Sequence, residues 1–80
     1  MVAEKVHDLI VRELELDDTS RIVPDARFVD DLGADSLKLF ALITAIEEEF
    51  DVSIDDGEIE KIRTVSDAVR TVETLIAGRA

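Results

Sequence analysis

Ser36-Leu37-Lys38-Leu39-Phe40-Ala41-Leu42-Ile43-Thr44-Ala45-Ile46-Glu47-Glu48-Glu49-Phe50 decides the fold. Leu39, Leu42, Ile43, Ile46 and Phe50 recur at i, i+3, i+4, i+7 and i+11, the stripe of an amphipathic helix packed on a core. Leu37, Phe40 and Ala41 lie off that stripe, in the N-terminal half. The helix is therefore apolar around more of its girth than one core face needs. Either it packs on two sides, or it shows a partner an apolar patch beside its start.

Upstream, residues 17–35 have no period and contain Pro24 and Gly33. A loop this long in a small domain is usually functional or pinned by its own apolar side chains. Phe28 and Leu32 are the candidate pins. Before it, Val6, Leu9, Ile10 and Leu14 mark a first helix over about residues 2–15. Asp8 and Arg12 form an i,i+4 pair on it, and Asp17-Asp18-Thr19-Ser20 ends it. Downstream, Asp55 precedes a short helical turn near 56–61. Thr64 with Asp67 reads as a capping box for a last helix over about 65–77, which buries Val65, Ala68, Val69, Val72 and Ile76 and stops at Gly78. No segment carries a strand signal. The fold class predicted is all-α, a small four-helix bundle of three long helices and one short one, with a long loop between the first and second helices.

Eighty residues make one domain, residues 1–80, of modest stability, since a chain this short buries only about 60–65% of its unfolded surface. There are no cysteines and one histidine, His7. That excludes a disulfide framework, a thiolate metal site and most catalytic constellations. No stretch is long or apolar enough to span a membrane. The acids Glu4, Asp8, Glu13 and Glu15 do not suit a targeting peptide, so a cytoplasmic monomer is expected. Twenty acids face 9 bases, for a net charge of −11. Residues 36–60 hold 8 acids and one base, Lys38, whereas residues 61–80 hold 2 acids and 4 bases. Such a field repels nucleic acid and anionic lipid and attracts basic protein surfaces.

Asp30-Asp31-Leu32-Gly33-Ala34-Asp35-Ser36-Leu37 joins the loop to the second helix. Gly33 permits a tight turn, Asp35 can cap the helix, and Ser36 falls in its first turn. A serine at a helix start is ordinarily there for capping. Yet a phosphate ester on this hydroxyl would meet the positive end of the helix dipole and unsatisfied N–H groups.

The segment Asp31–Leu37 resembles the attachment motif of acyl carrier proteins. The likeness continues through Glu47-Glu48-Glu49-Phe50-Asp51, Glu60-Lys61-Ile62 and Thr64-Val65, covering essentially the whole chain. The resemblance implies a carrier, not an enzyme. Ser36 would take a 4′-phosphopantetheine arm from coenzyme A, transferred by a holo-synthase (a phosphopantetheinyl transferase). The arm's thiol would carry an acyl chain as a thioester, delivered to fatty-acid or related lipid biosynthetic enzymes with basic docking patches. Asp35, Leu37, Glu47 and Glu48 match partner-contact positions, and Ile46, Ile54, Ile59, Ile62 and Ala68 match positions lining an acyl pocket.

Three residues depart from the common fatty-acid pattern. Lys38 and Ala41 stand where acids are usual, and Phe40 is bulkier than the usual aliphatic residue. All three join the expected partner surface. They suggest a different partner set, and leave a polyketide or aminoacyl cargo as the alternative within carriers. Ile59 stands where small residues are common and should shorten the pocket. Other classes fare worse. A hydrolase on Ser36 and His7 lacks the Gly-x-Ser-x-Gly elbow. A calcium loop from Asp51 would put Asp56 where glycine is needed and Ile62 where a bidentate glutamate is needed, and one from Asp30 would put Leu32 and Ala34 on ligand positions. No specific metal site is expected, only weak divalent binding that relieves carboxylate repulsion. An acidic interaction module without a prosthetic group is the rival from a different class.

Overall fold

The computed structural model describes residues 1–78. Four α-helices follow one another among them: α1 (Val2–Leu14), α2 (Ser36–Phe50), α3 (Asp56–Lys61) and α4 (Val65–Ala77), with one 3-10 turn at Thr19–Arg21. There is no strand among the described residues, and three of the helices are long, as the periodicity predicts. None is long and apolar enough to cross a membrane.

Local chemistry sets most of the boundaries. The Asp35 carboxylate accepts the Lys38 N–H at 2.8 Å and starts α2. Asp55 does the same for α3 through the Glu58 N–H, also at 2.8 Å. Thr64 and Asp67 form the predicted capping box on α4. Each cap satisfies an N–H that a helix start leaves without an intrahelical acceptor.

The end of α1 falls within one residue of the expected bound, but the acidic run is not what ends it. It stops at Leu14, where Glu15 turns to left-handed backbone at φ 53, before the acidic run is reached. Asp18 instead caps the 3-10 turn. Arg12 ion-pairs with its neighbour Glu13 at 2.9 Å and not with Asp8.

One hydrophobic core joins all the segments. Val6, Leu9, Ile10 and Leu14 of α1 meet Leu42, Ile43 and Ile46 of α2 and Val65, Ala68 and Val72 of α4. Leu39, Phe50, Val69 and Ile76, read as part of the buried faces, are half-buried at the margin of this core. The pins of the long loop are Phe28, 1% exposed, and Leu32, and the loop adds Ile22, Ala26 and Ala34 to the core.

Backbone hydrogen bonds fix the loop further. Arg27 and Thr64 form an isolated antiparallel bridge. Around it the Phe28 N–H donates to Arg63 O at 3.0 Å, Val65 N–H to Ala26 O at 3.0 Å, and Ser66 N–H to Pro24 O at 3.0 Å. The loop is thus stitched to the start of α4, which satisfies amides that burial would otherwise leave unpaired.

Asp67 serves this junction. Burial disfavours its charge, but the Arg63 and Thr64 N–H groups, the Thr64 side chain and the Arg70 guanidinium outweigh that and hold the carboxyl below its ordinary value. A group with a depressed folded pKa stabilises above its unfolded value and loses that contribution as pH falls through the folded one. Asp67→Ala should therefore cost about 1–2 kcal/mol at neutral pH. The deficit should shrink in acid, below the ordinary carboxylate range near 4. Urea midpoints of both proteins across pH 3–7 would check this, and a constant difference would contradict it.

Candidate functional site

The segment before α2 is built to present Ser36. The Asp31 carboxylate accepts the Arg27 N–H at 2.8 Å. The N–H groups of Asp31 and Leu32 donate to Arg27 O at 3.0 Å, and that of Ala34 to Phe28 O at 2.8 Å. Gly33 completes the turn at φ 71. A Cβ there would meet nothing within 4 Å, so the need for glycine comes from the backbone angle and not from space. Asp35 then caps α2, and Ser36 takes its first position, exposed.

The N–H groups of Ser36 and Leu37 have no protein acceptor among the described residues. The hydroxyl therefore sits beside free donors at the positive end of a helix of fifteen residues. The chemistry suits an ester of phosphate: a primary alcohol in solvent, two amides, and a dipole that favours an anion. The acids nearby oppose an anion, but the Asp35 carboxylate is already engaged by the Lys38 N–H.

Two clefts flank α2. One, of about 400 Å³, is bordered by Leu39 of α2, Ile59 and Ile62 near α3, and Phe28 and Val29 of the loop. Leu39 stands three residues after Ser36, on the same side of the helix. Of the five residues matched to an acyl pocket, Ile59 and Ile62 border this cleft, while Ile46, Ile54 and Ala68 are buried in the core.

The other cleft, of about 450 Å³, runs between α1 and α2 and is bordered by Leu37, Phe40, Ala41, Thr44, Ala45 and Glu48, with Arg12 and Glu13 opposite. Leu37 is 77% and Phe40 62% exposed. The extra apolar girth of α2 is therefore not covered by a second packing face. It lies open, with Ala41 and Glu48 exposed beside it.

Two charged residues of the expected partner surface have intramolecular roles. Lys38 reaches back to Glu15 beyond the end of α1, Nζ to carboxylate at 3.6 Å. This pair partly neutralises the one base of the acidic region. Glu47 turns its carboxylate to the Ile54 N–H at 2.8 Å. Sequence reading groups Glu47 with Glu48 as docking charges, and no local signal reveals an acceptor for an amide seven residues on. Among the described residues, no cluster of three or more His, Asp or Glu could hold a metal ion.

Comparison with known proteins bears on this arrangement. The family described as the phosphopantetheine attachment site matches residues 4–72. An acyl carrier protein of Solidesulfovibrio magneticus is 53% identical over 72 residues, covering 90% of this chain and 91% of its own. A solved structure of a candidate acyl carrier protein from Mycobacterium tuberculosis superposes with a TM-score of 0.79 at 42% identity, covering 96% of each chain.

Proposed function

Because this chain belongs to the phosphopantetheine-bearing acyl carrier proteins, we propose that Ser36 is where its 4′-phosphopantetheine arm is attached and that fatty-acyl chains are its cargo. The family match does not favour an acidic interaction module without a prosthetic group. One observation carries the assignment to Ser36: its exposed hydroxyl at the first position of α2, held there by the Asp35 cap and the Gly33 turn.

When bound, the arm supplies a thiol that holds the acyl chain as a thioester. The chain's own residues do the rest. The Ser36 Oγ provides the ester oxygen. The Ser36 and Leu37 N–H groups are donors available to a phosphate oxygen. Leu39, Ile59 and Ile62 offer apolar shelter one helical turn from the anchor. Ile59 takes room from that shelter, so Ile59→Ala should slow hydrolysis of long acyl thioesters relative to the parent. Equal rates across chain lengths would contradict this.

Partners are read from the α2 surface. The phosphopantetheinyl transferase and the acyl-processing enzymes would meet Asp35, Leu37, Phe40, Ala41 and Glu48, an acid-edged apolar patch that fits a basic rim around an apolar centre. Lys38 and Ala41 lower the negative potential beside Ser36, which supports a partner set different from that of the common fatty-acid carriers. Lys38→Asp with Ala41→Glu should raise kcat/KM with a standard ketosynthase by about tenfold, since three units of exposed charge change and each contributes about 0.5 kcal/mol. An unchanged kcat/KM would remove this reading.

The assignment of arm and cargo is tested by the intact mass of the protein from its native cell, followed by mapping of the modified peptide. A mass gain located on Ser36 supports it, and a gain on another residue overturns it.

A further inference from the structure

Ser36 stands where the surface of α2 divides. On a helix the residues three and four positions on lie to either side of a given one. Leu39 takes one side and leads to the apolar cleft with Ile59 and Ile62. Phe40 takes the other and leads into the cleft between α1 and α2. Leu37, Phe40, Thr44 and Glu48 all fall within about 120° of Ser36 on that second side.

The walls of the α1–α2 cleft are fixed. The two helices share the core, and ion pairs tie them at both ends, Lys38 to Glu15 and Lys5 to Glu49, each at 3.6 Å. Leu37 and Phe40, both exposed, border the cleft next to the anchor in sequence. Ala41, Thr44 and Ala45 are small and leave it passable. Ala41 puts a methyl on its wall where an acid would put a charge. Further along α2 stand the Thr44 hydroxyl and the Glu48 carboxylate, with Arg12 and Glu13 on the facing helix. Arg12 gives its Nε–H to Glu13 at 2.9 Å and keeps further N–H donors.

We propose that the α1–α2 cleft is the resting seat of the 4′-phosphopantetheine arm itself. The proposal rests on Ser36 as the anchor. From its phosphate outward the arm carries a dimethyl carbon, then amides, then the thiol. The cleft offers matching chemistry in that order along α2. Leu37 and Phe40 suit the dimethyl carbon, and Thr44 and Arg12 suit the amides. Beyond its phosphate the arm is uncharged, so the acids along this edge, which repel other anions, do not repel it. Glu48 lies about 18 Å along the helix from Ser36, a span the extended arm matches. A tether this short holds its free end at roughly millimolar effective concentration, so contacts too weak to hold free pantetheine suffice. A saturated acyl chain gains nothing from these polar groups and belongs on the Leu39 side.

The test compares the unloaded protein with the protein carrying the arm and no cargo. Loading should shift the NMR signals of Ala41, Thr44, Ala45 and the Arg12 Nε–H, and leave those of Ile59 and Ile62 nearly unmoved. The arm's methyl protons should move upfield of their position in free pantetheine, through the Phe40 ring, and show nuclear Overhauser contacts to Phe40 and Ala41. Phe40→Leu should remove the upfield displacement and keep the contacts to Ala41. Thr44→Glu, which fills the seat with a charged side chain, should abolish both. If a melt shows that variant unfolded, the parent and Phe40→Leu spectra decide. Contacts to Leu39, Ile59 or Ile62 instead, or arm signals identical to those of free pantetheine, overturn the seat and leave the anchor standing. A parent chain that gains no arm overturns the anchor, and the seat with it.

Discussion

Ser36→Ala is expected to abolish loading while leaving the fold in place. Incubated with coenzyme A and a phosphopantetheinyl transferase, the parent chain should gain the mass of one arm and the variant none. The effect is all or none because the ester needs an oxygen and alanine supplies none. Stability should change by no more than about 0.5 kcal/mol, as for other surface positions. The serine is exposed, and the cap belongs to Asp35, whose carboxylate reaches Lys38 without help from Ser36. Thermal melts of the two unloaded proteins check the second half. A variant that still gains the arm would place the attachment elsewhere. One that fails to load because it has unfolded would show it in the melt.

Phe28→Ala produces the largest loss of stability expected in the molecule. Removing a buried phenylalanine costs about 3–5 kcal/mol. A domain of this size holds only about 4–12 kcal/mol in total, at roughly 0.05–0.15 kcal/mol per residue. Phe28 is the largest of the fully buried side chains. It also borders the α2–α3 cleft, and its backbone both donates to Arg63 O and accepts from Ala34 N–H. The cavity left behind therefore opens where the loop, α3 and the approach to Ser36 meet. Urea unfolding should show a midpoint lowered by a large fraction, and loading by the transferase should fall with the folded population. Phe28→Leu, which retains much of the volume, should cost far less. A Phe28→Ala protein as stable as the parent would mean that the loop is not held by this side chain.

What could be read from the sequence was local. The starts of α2, α3 and α4 are each marked by a side chain that caps within three residues, Asp35, Asp55 and Thr64, so pattern and chemistry agree. The end of α1 was legible to within a residue but its cause was not, because a glutamate at left-handed φ carries no glycine-like signature. Nor were the long-range fixtures. Arg27 meets Thr64 across 37 positions, and Lys38 meets Glu15 across 23. Such pairings depend on how the helices stack. At the site, the position of Ser36 and its cap followed from the motif. The inward turn of Glu47 did not, since a carboxylate in an acidic run looks the same whether it faces solvent or an amide.

The bridge from Arg27 to Thr64 has a consequence for the order of events during synthesis. The turn that presents Ser36 is anchored through Phe28 to residues that leave the ribosome well after Ser36 itself. A nascent chain ending before Thr64 has the serine and its cap but lacks the strut behind them. With Ser36 as the attachment point, a chain truncated before Thr64 is expected to load more slowly than the full chain with the same transferase, and equal loading would show that the strut is not read.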